Sequence, residues 1–85
     1  MMTDKLSAAR AKIDVLDKKL AVLLARRFTL AAPLKELKNR ATDLARERQV
    51  IRNARHNAGK PAFRAGAAAV FSEIIRQSKK LQSSK

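Results

Sequence analysis

Residues 6–38 read LSAARAKIDVLDKKLAVLLARRFTLAAPLKELK, and this stretch decides the fold. Apolar residues recur in it every three or four positions, the period of an α-helix that buries one face: Leu6, Ile13, Leu16, Leu20, Leu23, Leu30, Leu34 and Leu37. Arg10 and Arg27 interrupt the apolar stripe, and Lys38 lies one turn beyond Leu34. Because a cation directed at an apolar face is costly unless it meets an anion, we expect these three to bind an anionic group.

The composition narrows the class of protein. The 85 residues include 20 Lys and Arg against 7 Asp and Glu, and a net charge of +13 points to nucleic acid, an anionic surface or an anionic small ligand. There is no cysteine and only His56 as histidine, so no metal site is expected. Three phenylalanines without Trp or Tyr make a stacking surface for single-stranded nucleic acid unlikely to form. No apolar run approaches the roughly 20 residues of a membrane span, and the N-terminus lacks a signal-peptide core, so we expect a cytoplasmic protein without a membrane partner.

The first predicted helix covers about residues 6–39. Pro33 removes one backbone hydrogen bond, and we expect a kink there, because the apolar series continues in register through Leu34 and Leu37. The alternative is a pair of helices that meet at Pro33. A helix of this length would measure about 50 Å, too long for a globule of this size, so we expect a second chain to cover it.

Two shorter helices follow, and no strand is predicted. The second helix covers about residues 43–57, and Gly59 and Pro61 mark the break after it. The third helix covers about residues 62–82. The sequence therefore predicts an all-α fold with one long and two shorter helices per chain, in a single domain over residues 1–85.

Polar groups lie on the apolar faces of all three helices. They are Arg10, Arg27 and Lys38 on the first helix, Glu47 on the second, and Ser78 and Gln82 on the third. Arg46 adjoins Glu47, and Asp43 lies one turn before both. Cations, a carboxylate, a hydroxyl and an amide suit a small ligand that carries carboxylates and a hydroxyl, since arginine binds carboxylates through two parallel hydrogen bonds. Taken singly, each has an ordinary explanation: Arg27 can extend its charge to solvent, and Glu47 can pair with a neighbouring arginine. Their occurrence together on three helices favours a binding site.

The spacing of the cations predicts a dimer. Arg27 and Lys38 are about three turns apart on nearly the same side of the helix, so both can reach one pocket. Arg10 lies roughly 25 Å before Arg27 along the axis and cannot easily reach that pocket. It can reach the pocket of an antiparallel second chain, which predicts an interlocked two-fold dimer with two pockets.

These positions also carry a family resemblance. Residues 9–17 (ARAKIDVLD), 23–27 (LLARR), 43–48 (DLARER) and 71–78 (FSEIIRQS) resemble, in order and spacing, the motifs of the all-helical AroQ-type chorismate mutases. Lys38 stands where that family has a lysine late in its first helix, and Gln82 completes the last motif. The resemblance extends over about residues 6–82.

The resemblance implies an isomerase that rearranges chorismate to prephenate in aromatic amino acid biosynthesis, on the shikimate pathway, with no cofactor. It implies an intertwined homodimer of three-helix chains. It assigns Arg27, and Arg10 of the second chain, to the two substrate carboxylates, with Ser78 nearby. It assigns Lys38 and Gln82 to the ether oxygen of the breaking bond.

The same resemblance assigns Glu47 to the ring hydroxyl, where Asp43 contributes through its backbone, and it gives Arg46 a supporting place at the carboxylate end. The residues expected to act on the reacting substrate are thus Lys38, Gln82, Arg27 and Glu47. Lys79 departs from the family pattern, because an apolar pocket residue is expected there.

Three other functions stay open at this point. An isochorismate–pyruvate lyase shares the fold, although the adjacent Arg46 and Glu47 resemble the mutases more closely. A basic helical nucleic-acid-binding protein would explain the net charge, but it gives Glu47, Ser78 and Gln82 no role in binding phosphate. A non-catalytic helical dimer is the third alternative.

Overall fold

A computed structural model describes residues 2–36 and 40–83 of the chain. Helix α1 spans Met2–Ala31, a 3₁₀ helix spans Ala32–Glu36, α2 spans Arg40–Asn57 and α3 spans Pro61–Ser83. Within these described ranges there is no strand, so the predicted all-α class with three helices is confirmed. The chain divides into two compact units, residues 1–30 and 31–85, each described by itself below. The single-domain organisation stays a prediction.

The first unit contains helix α1 up to Leu30, and the whole helix, at 30 residues, is about 45 Å long. It begins four residues earlier than predicted, and Asp4 in its first turn places a negative charge at the positive end of the helix dipole. Six apolar side chains of the predicted stripe are each more than half exposed: Leu6, Ile13, Leu16, Leu20, Leu23 and Leu30. The apolar face that the sequence predicts is therefore present on α1 and is open to solvent in the single chain.

The predicted continuous helix over residues 6–39 is wrong at its C-terminal end. The α-helix stops at Ala31 and tightens into the 3₁₀ helix that contains Pro33. Proline has no N–H and its ring clashes with the carbonyl four residues earlier, which belongs to Thr29. Thr29 also turns its hydroxyl back to the Ala25 carbonyl, 2.9 Å away, a bond that often bends helices. These local effects outweigh the apolar register that favoured a kink.

The turn between α2 and α3 follows the sequence signals. Gly59 has a φ of 79°, the left-handed conformation that glycine adopts without strain and that ends many helices. The Ala58 N–H donates to the Ala54 carbonyl at 3.0 Å and closes the last turn of α2. Pro61 opens α3, where its missing N–H costs nothing. Helix α3 lies within one residue of the predicted 62–82 at each end, and α2 begins three residues before the predicted 43.

Helices α2 and α3 pack against each other through small side chains. Val50 and Ala54 of α2 and Ala68 of α3 are the buried apolar residues in the described part of the chain. Alanine at this contact lets the two backbones approach closely. Buried residues from both helices thus form the contact along which the polar side chains of α2 and α3 also lie.

Candidate active site

Two predicted site residues lie one turn apart on the buried face of α3. Ser78 and Gln82 are both buried, with 6% and 8% of their surfaces exposed. The Ser78 hydroxyl donates to the carbonyl of Ile74 in the preceding turn, at 2.8 Å. Its oxygen still has lone pairs that can accept a hydrogen bond, so a buried Ser78 is compatible with contact to a ligand.

Gln82 of α3 bonds to Ala31 within the second compact unit. Its Nε2 donates a hydrogen bond of 2.9 Å to the backbone carbonyl of Ala31. The last carbonyls of an α-helix lack intrahelical partners, and Gln82 supplies a donor to one of them. The bond uses one of the two N–H donors of the amide.

Glu47 of α2 forms an ion pair across to α3. Its Oε2 lies 2.7 Å from the Nζ of Lys79, and the two side chains are 26% and 51% exposed, respectively. The sequence suggests an arginine as the ordinary partner of Glu47, and the structure shows a lysine from another helix. Lys79 was not predicted as a site residue. The sequence offered one indication of its importance, namely a charge at a position where the family pattern has an apolar residue.

A groove of about 460 Å³ lies between α2 and α3 next to this ion pair. It is lined by Glu47, Arg48, Ile51, Arg52, Ser72 and Ile75. The two isoleucines are half-buried and make the groove apolar, while the carboxylate and the arginines add charge. Glu47 is thus a predicted site residue that borders this open groove.

The other predicted residues on α2 lie near its start. Asp43 is half-buried in the first turn of the helix. Arg46 is exposed, and its Nη1 donates to the Oε1 of Gln49 at 3.0 Å, which directs it along its own helix. The supporting role expected for Arg46 at the carboxylate end thus stays a prediction.

A comparison with models of protein families shows the family to which the chain belongs. The family model described as Chorismate mutase type II matches residues 9–83. The chain belongs to the chorismate mutase type II family. The resemblance seen in the sequence motifs is thereby confirmed over nearly the whole chain. No curated protein and no solved structure was found to match the chain.

The cations expected to bind substrate in this type II chain are carried mainly by its first helix. Arg10 is exposed on α1, and Arg27 is half-buried on the same helix. Lys38 lies outside the described residues. How Arg10, Arg27 and Lys38 come together with the residues of α2 and α3 stays a prediction.

Glu73 on α3 is a carboxyl group whose pKa is lowered by its neighbours. Glu73 of α3 accepts a hydrogen bond of 2.6 Å from Gln77 and bonds of 2.7–3.0 Å from Arg76. These bonds, first that from Gln77 and then those from Arg76, lower the pKa of Glu73 below its usual value. Glu73 is exposed on the outer face of α3 and is hydrogen-bonded to Arg76 and Gln77, so it is not a candidate for the site.

In residues 2–36 and 40–83, no cluster of three or more His, Cys, Asp or Glu residues could hold a metal ion. Among the helices in these ranges, none is long and apolar enough to cross a membrane.

Proposed function

We propose that the chain is a chorismate mutase, an isomerase that rearranges chorismate to prephenate at a pocket shared between two chains. The observation that carries this proposal is the family match over residues 9–83, a range that includes every predicted site residue. Buried Ser78 and Gln82, with the half-buried Glu47 on the facing helix, support a polar site on an otherwise apolar contact. The proposed location is the cytoplasm, and the proposed pathway is aromatic amino acid biosynthesis.

The carboxylates of the substrate explain the arginines. Chorismate carries two carboxylates, and a guanidinium binds each of them through paired, charge-assisted hydrogen bonds. Arg27 is the proposed partner of one, and Arg10 from a second copy of the chain is the proposed partner of the other. Ser78 and Arg46 add a hydroxyl and a further positive charge at that end of the substrate.

The breaking bond of the substrate accounts for the proposed roles of Lys38 and Gln82. In a pericyclic rearrangement the ether oxygen gains negative character as its bond to carbon breaks, and no nucleophile or proton transfer is needed. A fixed cation and an amide N–H near that oxygen stabilise the transition state more than the ground state. Lys38 supplies the charge in this proposal, and Gln82 supplies the second donor.

The ring hydroxyl explains Glu47 and Asp43. A carboxylate accepts a hydrogen bond from the hydroxyl, and a backbone group of Asp43 is the proposed second contact. Contacts at both ends of the substrate hold it in the compact conformer in which the reacting carbons are close. This restriction of a flexible substrate is a large part of what such an enzyme can contribute.

The exposed stripe of α1 supports the intertwined homodimer. The six large apolar side chains of the predicted stripe on this helix, from Leu6 to Leu30, are open to solvent in the single chain. A soluble protein rarely exposes a continuous apolar face of this kind without a partner. A second copy is the proposed occupant, because the same association would deliver Arg10 to the other chain's pocket.

The test is to supply the purified chain with chorismate and, separately, with isochorismate, and to identify the products by chromatography. The proposal predicts prephenate from chorismate and no salicylate or pyruvate from isochorismate. Salicylate plus pyruvate would identify a lyase. No turnover of either substrate, together with binding to DNA that weakens steeply with salt, would identify a nucleic-acid-binding protein.

A further inference from the structure

Lys79 of α3 forms an ion pair with Glu47 of α2 at the candidate site. It follows Ser78 on α3, and its Nζ lies 2.7 Å from the Oε2 of Glu47 on α2. The lysine side chain is half exposed, whereas about a quarter of the glutamate side chain is exposed. The pair therefore lies at the solvent edge of the helix contact, with the carboxylate on the inner side.

The packing around the pair fixes the distance that it spans. Val50 and Ala54 lie one and two turns beyond Glu47 on α2, and both are buried. Buried Ser78 anchors the adjacent turn of α3. With the two helices held in this way, a lysine at position 79 constrains the glutamate side chain, which otherwise has three freely rotating bonds.

We propose that Lys79 is a positioning residue that holds the Glu47 carboxylate ready for the substrate hydroxyl. This inference rests on the proposed function. Lys79 contacts Oε2, and an ionised carboxylate has about four acceptor sites, so Glu47 can be paired with Lys79 and accept a hydroxyl at the same time. Ordering the carboxylate in advance lowers the entropic cost of binding, as does any rigid, preorganised contact.

Such a role differs from direct contact between Lys79 and the substrate. A positioning residue acts through Glu47, so its removal matters only while Glu47 retains its carboxylate. A lysine that attracted the anionic substrate by its own charge would matter equally with or without that carboxylate. A double-mutant cycle separates these two cases.

The experiment measures kcat and KM for chorismate in the wild type, Lys79→Met, Glu47→Gln and the double variant. We expect Lys79→Met to lower kcat/KM by about 3- to 10-fold in the wild-type background and by less than about twofold in the Glu47→Gln background. Lys79→Arg keeps a cation at the position and should recover most of the loss. Lys80→Met is the control, because it removes the same charge from the next residue, whose field acts on Glu73.

Each outcome bears on one claim. Equal losses in the two backgrounds, or no loss or a gain in Lys79→Met, would overturn the positioning role while the wild type still turns over chorismate. A matching loss in Lys80→Met would assign the effect to net charge and would overturn it as well. A folded wild type without turnover of chorismate would overturn the proposed function first, and the role of Lys79 with it.

Discussion

The amide of Gln82 donates a hydrogen bond to the backbone carbonyl of Ala31, 2.9 Å away and 51 positions earlier in the chain. Ala31 is the last residue of α1, and Gln82 lies one residue before the end of α3. The buried amide thus secures the point where the α-helix gives way to the 3₁₀ helix. The proposed mechanism also assigns this side chain to the ether oxygen, which would add a catalytic role to the structural one.

Removing this bond should destabilise the fold. Gln82→Met keeps the length of the side chain but leaves the Ala31 carbonyl without its donor, and we expect a loss of about 1–3 kcal/mol in the free energy of unfolding. Gln49→Met is the matched control, because Gln49 is exposed and bonds only locally to Arg46. Urea unfolding at one fixed protein concentration measures both variants. Equal effects of the two substitutions would show that the Gln82 bond contributes nothing to stability.

The close contact of α2 with α3 should reject a larger side chain. Ala68 is 7% exposed at this contact, whereas its neighbour Ala69 is exposed on the same helix. Ala68→Leu should cost about 1–3 kcal/mol through overpacking, and Ala69→Leu should stay within about 0.5 kcal/mol of the wild type. Thermal and urea unfolding report the difference. A tolerated leucine at 68 with a disruptive one at 69 would mean that the helix is rotated from its described orientation.

Glu73 on the outer face of α3 should make a small, pH-dependent contribution to the free energy of unfolding. The pKa of Glu73 is lowered in the folded chain, so its contribution is complete above the ordinary glutamate pKa of about 4.3 and is lost as the pH falls through the lowered value. Gln77→Ala removes the main cause and should raise the pKa of Glu73, as followed by NMR of the side-chain carboxyl carbon. Gln49→Ala on α2 should leave that titration unchanged. A Glu73 pKa that ignores the loss of Gln77 would contradict the assigned cause.

The cation at position 38 should matter for turnover and not for folding. Lys38→Ala should lower kcat by about 10²- to 10³-fold, the loss usually seen when one donor to a developing negative charge is removed. Circular dichroism should show the same helix content as in the wild type. Lys60→Ala is the control, because Lys60 is exposed in the turn before α3. Near-normal turnover by the Lys38 variant would remove Lys38 from the proposed mechanism.

The helices that are defined by local signals could be predicted from the sequence. The left-handed backbone at Gly59 favours glycine, and Pro61 suits the first turn of a helix. The ends of α3 could therefore be predicted to within one residue. The end of α1 was predicted wrongly because two effects oppose each other there. The apolar register favours a longer helix, while Pro33 and Thr29 weaken its backbone hydrogen bonds. Periodicity describes the side chains and contains no measure of that backbone cost.

The sequence supplied candidate residues for a site, but it could not supply the contacts that these residues make. The buried places of Ser78 and Gln82 follow from their spacing on one helix face. The ion pair of Glu47 with Lys79 depends on how α2 and α3 are rotated about their axes, which no spacing within one helix determines. The bond from Gln82 to Ala31 depends in turn on where α1 ends, and the predicted end of that helix was wrong.

The central claim is that chorismate is rearranged in a pocket to which one chain supplies Lys38 and another supplies Arg10. The measurement is chorismate turnover after Arg10→Ala and Lys38→Ala chains, each nearly inactive, are unfolded together at equal amounts and refolded. A mixed dimer would contain one intact pocket, so we predict recovery to about a quarter of wild-type activity. Lys38→Ala mixed with an Arg10→Ala, Lys38→Ala double variant has no intact pocket and is the control. Activity no higher than that control, from chains that do refold and associate, would contradict the shared pocket.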